Sequence, residues 1–112
     1  MKPLGRSPTG AAQVDAMVRQ IVERFHPERV ILFGSHARGT AGPDSDLDLL
    51  VVMPVRGSKR KKQLEIRLAL RRFRVPKDVI VTTPEEFAWR KEIPGTIECP
   101  AAREGRVMYA RP

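Results

Sequence analysis

The chain has 112 residues and a formal charge of +8, a length suited to one domain that withdraws roughly 60–70% of its unfolded surface from water, with no room for a second catalytic domain. No stretch approaches the ~20 apolar residues of a membrane-spanning helix. Residues 1–10, with Lys2, Arg6 and two prolines, lack the apolar middle of a secretory signal, so a cytoplasmic protein is expected. Cys99 is the only cysteine, which excludes an internal disulfide and a Cys-rich zinc site and leaves the expectation of a small buried side chain.

Residues 1–9 are polar and proline-containing and are expected to form a disordered tail ahead of one domain over 10–112. Val14, Met17, Val18, Ile21, Val22 and Phe25 recur at steps of three and four, the pattern of a helix with one face on a core, and His26-Pro27 ends it. Val30 to Phe33 is too short for a helix and is bounded by Pro27 and Gly34, which predicts a buried strand. Residues 39–45 carry loop chemistry, and Asp46 to Met53 predicts a second strand, apolar on both faces after its acids, as a covered central strand would be.

Between Arg56 and Arg74 stand nine Lys or Arg against one acid, Glu65, and this block holds the whole net charge. Such a block either binds polyanions, contacts an acidic partner or solvates a helix face. Over 58–73 the apolar residues fit both alternation and helical spacing, and the Leu, Arg, Lys, Gln and Glu composition decides for a helix. Lys77 to Thr82 predicts a third strand, with Asp78, Ile80 and Thr82 on one face. Thr83-Pro84-Glu85-Glu86 is a helix start, with Thr as cap, Pro first and Glu third. A short helix near 97–104 and an edge strand over 106–110 complete an α/β fold, a small mixed sheet flanked by helices.

Two features carry chemistry. Gly34-Ser35 follows a strand, where a residue without Cβ lets backbone approach phosphate and Ser35 can donate to it; Arg38 follows closely enough to reach the same phosphate. The glycines at 34 and 39 have the spacing of a P-loop, but Thr40 stands where that motif needs Lys. Asp46 and Asp48, at i and i+2, fall on one face of a strand about 6.5 Å apart along the backbone. Two like charges held ~4 Å apart repel by about 4 kcal/mol at an effective dielectric near 20, which a divalent cation would offset. Asp78 opens the third strand, so neighbouring strands in register would bring three carboxylates to one edge, enough for two Mg²⁺ ions that hold a triphosphate and activate a hydroxyl.

Gly34-Ser35, ten residues, Asp46-x-Asp48, then a helix and Asp78 resemble the nucleotidyltransferase superfamily related to DNA polymerase beta, in particular its minimal nucleotidyltransferases. Arg38-Gly39, Ser45 to Leu49, Pro94-Gly95-Thr96 and Arg103 to Val107 extend the likeness over roughly residues 28–110. The resemblance implies the nucleotidyltransferase fold, with Asp46, Asp48 and Asp78 as catalytic metal ligands and Gly34, Ser35 and Arg38 as nucleotide-binding residues. It also implies ATP as substrate, Mg²⁺ or Mn²⁺ as cofactor, and a HEPN-domain toxin that is silenced by transfer of AMP. Two alternatives stay open: an antitoxin that acts by binding alone, and a nucleic-acid-binding module using the Arg56 to Arg74 block, whose affinity would fall steeply with salt.

Overall fold

A computed structural model describes residues 10–42 and 45–112, so the expected tail over 1–9 lies outside the described residues. The chain runs α1 (Gly10–Phe25), β1 (Arg29–Phe33), α2 (Ser35–Arg38), β2 (Leu47–Val52), α3 (Lys59–Ala69), β3 (Lys77–Thr82), α4 (Pro84–Arg90), α5 (Glu98–Glu104) and β4 (Arg106–Ala110). The four strands form one mixed sheet in the order β3-β2-β1-β4. β1 runs antiparallel to both β2 and β4, whereas β2 and β3 are parallel and are joined by the crossover helix α3. Among the described residues no helix is long and apolar enough to cross a membrane.

Alternation along the central strand divides the core into two layers. Leu47, Leu49 and Val51 join Val14, Met17 and Ile21 of α1 and Ile66 of α3 in the larger cluster. Leu50 and Val52 point the other way, into a smaller cluster with Ile31, Phe87 of α4 and Ala101 of α5. Each layer follows from the two-residue period of a strand buried on both faces. On β2 the apolar residues of this layer begin at Leu50; Asp48, the residue before it on that face, is half-buried, beside Phe33 at the rim of the layer.

Local chemistry fixes the helices to this sheet. Thr83 caps α4 by accepting the Glu86 N–H at 3.2 Å, as the Thr-Pro-Glu-Glu run predicts, and Lys59 donates to Glu86 at 2.6 Å, tying the start of α3 to the start of α4. Gln63 reaches from α3 to accept the Val81 N–H at 2.8 Å, which satisfies a backbone group on the outer edge of β3. α5 ends at Gly105 against β1. A Cβ there would lie 2.3 Å from the Ala101 carbonyl and 2.6 Å from an Ile31 methyl, so the helix can pack this closely only on glycine.

The structure departs from the sequence reading at three points. The second strand begins at Leu47, and Asp46 precedes it. α3 stops at Ala69, short of Phe73, because residues 70–73 close in turns through Leu68 and Leu70 carbonyls. α2 was not expected at all. Cys99 is buried and free, as anticipated.

Candidate functional site

The Asp48 end of this face gathers the acids. Parallel pairing of β2 with β3 sets Asp48 opposite Asp78, and it is held at that end by the Leu47 N–H, which donates to the Pro76 carbonyl at 2.9 Å. Lys77 fixes the same corner: its ammonium, drawn below its ordinary pKa by burial and then by Arg67, donates to the carbonyls of Phe73 and Val75 at 2.7 and 3.2 Å. The loop before Asp78 is thereby stapled.

On the other side β1 sets Phe33 opposite Asp48, and the chain turns at once through Gly34 into α2. Gly34 has φ 77° and ψ −155°, a region open to essentially no other residue. A Cβ on Gly34 would fall 2.3 Å from Asp48 Oδ2, so the carboxylate rests directly on the glycine backbone. The Gly34 carbonyl accepts the N–H groups of Ala37 and Arg38, both at 3.1 Å, and Thr40 N–H closes the turn on the Ser35 carbonyl at 3.0 Å. Ser35 and His36 supply its leading N–H groups, which a helical turn does not itself use.

Asp46 stands exposed just before β2, and the preceding loop is tied back to α2 by His36, whose Nε2 lies 3.1 Å from the Ser45 carbonyl. A carbonyl only accepts, so Nε2 carries the proton. The Ser45 hydroxyl also accepts the Gly42 N–H at 2.9 Å. Burial, and then the like charges of Asp78 and Asp46, push the Asp48 carboxyl above its ordinary value, against weaker opposing pulls from His36 and Arg38. That cross-influence brings Asp46, Asp48 and Asp78 into one electrostatic cluster beside the Gly34-Ser35 turn. Arg38 is within range of Asp48, but its guanidinium sits 3.7 Å from Glu104, in a pair half open to solvent that holds it weakly.

Among the described residues no three His, Cys, Asp or Glu side chains already converge in metal-holding geometry. The donor set is nonetheless the one a hard cation selects, carboxylate oxygens alone, and Mg²⁺ is commonly held by one or two carboxylates with the remaining positions filled by water and substrate phosphate. The carboxylates therefore suit the metal without forming a closed cage. Sequence reasoning passed over two supporting residues, His36 as a loop clamp and Lys77 as a staple. The signal for Lys77 was a lysine opening a strand directly after proline.

The chain is similar in sequence and in fold to known proteins. A protein of Methanocaldococcus jannaschii named as a candidate protein adenylyltransferase is 36% identical over 55 residues, 49% of this chain and 54% of its own, so the chain matches about half the length of that relative. A crystal structure of a candidate nucleotidyltransferase from Sulfolobus solfataricus shares the fold, with TM-score 0.55 and 22% identity over 97% of this chain and 94% of that one. A toxin–antitoxin complex with AMP-PNP shares it at TM-score 0.53 and 17% identity, covering 87% of this chain and 73% of that chain. A double aspartate-to-glutamate mutant of the toxin–antitoxin MntA–HpeT does so at TM-score 0.54 and 12% identity, over 87% and 72%. The nucleotidyltransferase domain family matches residues 15–102, a span that holds the Gly34-Ser35 turn and all three aspartates, and the chain belongs to that family.

Proposed function

We propose that this chain is a metal-dependent nucleotidyltransferase that moves AMP from ATP to a protein acceptor, a HEPN-type toxin that it neutralises in the cytoplasm. The observation that carries the reading is the Asp48 carboxylate lying against Gly34 while paired in register with Asp78. A phosphate accepted by the turn at Ser35 would meet a carboxylate cluster, two anionic groups side by side, and only a cation between them makes that arrangement favourable. The names of the relatives support the chemistry and the acceptor class, since one is named for adenylyl transfer to protein and two belong to toxin–antitoxin pairs.

In this reading Gly34 allows close approach of the triphosphate, and Ser35 donates its N–H and hydroxyl to the phosphate oxygens. Arg38 leaves Glu104 to add a charge-assisted contact. Asp46, Asp48 and Asp78 would hold the divalent ions, Mg²⁺ or Mn²⁺. When bound, such ions neutralise the triphosphate and lower the pKa of an attacking hydroxyl. A bond forms between the acceptor oxygen and the α-phosphorus, the bond from that phosphorus to the bridging oxygen breaks, and pyrophosphate departs. The Asp78 carboxylate takes the proton released from the acceptor hydroxyl.

The test is incubation with Mg²⁺, extract of the native host and ATP labelled at the α-phosphate, with γ-labelled ATP and the Asp48→Asn variant as controls. A protein band labelled only from the α-position and absent with Asp48→Asn is expected. Label that persists in Asp48→Asn would overturn the catalytic assignment, and neutralisation of a toxin by Asp48→Asn at the wild-type level would replace transfer with inhibition by binding.

A further inference from the structure

The outward face of α3 takes no part in the site. Toward the protein, α3 buries Ile66, sends Gln63 to Val81 and sets Lys62 over the Phe25 ring of α1 at 5.8 Å. Its opposite side carries Leu64 and Leu68, 56% and 51% exposed and one helical turn apart. A single exposed leucine needs no explanation. These two lie in one stripe with Arg60, Lys61, Arg67 and Arg71, none of which makes an ion pair among the described residues.

Each leucine also lines a groove. Leu68, with Phe25, Ala69 and Arg71, borders one of about 550 Å³ between α3 and α1. Leu64, with Ser58, Gln63 and Arg67, borders one of about 490 Å³ on the opposite flank. The face is thus an apolar ridge between two troughs, in a field of positive charge interrupted by one acid, Glu65, which is paired with Lys62 at 2.9 Å.

We propose that this face docks an acidic amphipathic helix of a partner protein. Leu64 and Leu68 enter the apolar stripe of that helix, and Arg60, Lys61, Arg67 and Arg71 meet the carboxylates that flank it. Charge complementarity selects this occupant. A second copy meeting it through the same face would set cations against cations, and residues 1–9 contain Lys2 and Arg6 but no acid, so neither a symmetric pair of copies nor the chain's own first residues fit. Nucleic acid fits the charge but gains nothing from leucines. The nearest aromatic rings, Phe25 and Phe73, pack against the core and lie under Lys62 and Arg72, away from a stacking role. The surface stands whether or not the chain transfers a nucleotide.

The probe is a designed, fluorescein-labelled helix of about 20 residues with a leucine stripe flanked by glutamates, titrated with the full chain and followed by anisotropy. Two control helices replace Leu by Ala or Glu by Lys, and a labelled single-stranded RNA runs in parallel. Saturable binding of the Leu/Glu helix is expected, with both controls and the Leu64→Ser/Leu68→Ser chain weaker by about 10-fold or more. Both leucines are exposed, so the variant should melt as wild type does, and the control helices test the same contact without altering the chain. Equal binding of the Ala/Glu helix, tighter binding of the RNA, or no saturation below about 1 mM would each overturn the proposal.

Discussion

One face of β3 carries Asp78 at its start and Thr82 at its end, and the acids at these two ends live under opposite rules. At the Thr82 end, Glu98 of α5 is 5% exposed and receives the Thr82 hydroxyl at 2.7 Å and Arg90 Nε at 3.0 Å. Burial pushes its pKa up, but the hydrogen bonds from Thr82 and Arg90 outweigh that and hold it below its ordinary value. At the Asp78 end, Asp48 finds no such donors among the described residues and is pushed the other way, first by burial and then by the charges of Asp78 and Asp46. A carboxylate surrounded by donors fastens two elements together. A carboxylate surrounded by carboxylates weakens the fold, and such an arrangement points to a ligand that is positive.

Replacing Asp48 by Asn separates the two meanings most strongly. Nucleotidyl transfer should fall by about 10³-fold or more, as expected when a group that stabilises transition-state charge is removed. Thermal stability in a chelating buffer should rise, because the variant removes one of three mutually repelling charges while keeping the size of the side chain. A lower melting temperature for Asp48→Asn would mean that the carboxylate serves the fold, and the contrast between the ends of β3 would collapse.

Glu98→Ala should do the reverse. It leaves the Thr82 hydroxyl and the Arg90 guanidinium without their acceptor in a mostly buried place, at a cost of about 2 kcal/mol, discounted because Arg90 is partly solvated. For a domain of this size that lowers the melting temperature by roughly 10 °C. Transfer measured well below the new melting temperature should stay within about twofold of wild type, since Glu98 touches none of the site residues. Loss of transfer in a folded Glu98→Ala protein would show that the two ends are coupled.

The contrast itself was only half legible in the sequence. Strands over Lys77–Thr82 and Arg106–Ala110 and the Thr83 cap follow from local signals, because β-branched alternation and capping chemistry act over a few neighbouring residues. The three aspartates were legible as a spacing, but the pairing of Asp48 with Asp78 depends on a parallel register set through α3. Asp46 was drawn into the second strand because an Asp-x-Asp pattern looks like strand alternation, although the ladder begins only at Leu47. α2 escaped because four residues leave no period to read. Glu98 was invisible: an acid in a short polar helix resembles any surface residue until the fold brings Thr82 and Arg90 to it.

The smallest effect is the dependence on pH, and it carries the sign of each environment. The folded-state pKa of Asp48 is raised, so its contribution to stability is favourable only below its unfolded value and is lost as pH rises through the folded one. The folded-state pKa of Glu98 is lowered, so its contribution is present above the unfolded value and is lost as pH falls through the folded one. In chelating buffer, Asp48→Asn should therefore melt above wild type near neutral pH and Glu98→Gln below it. The Asp48→Asn difference should shrink toward zero as the buffer is taken down to about pH 4, near the unfolded Asp value, whereas the Glu98→Gln difference should persist there and fade only at lower pH, as Glu98 protonates in the folded protein. Melting curves of the three proteins over that range check both signs at once. Two differences of the same sign would mean that the carboxylates at the two ends of β3 experience the same kind of surroundings.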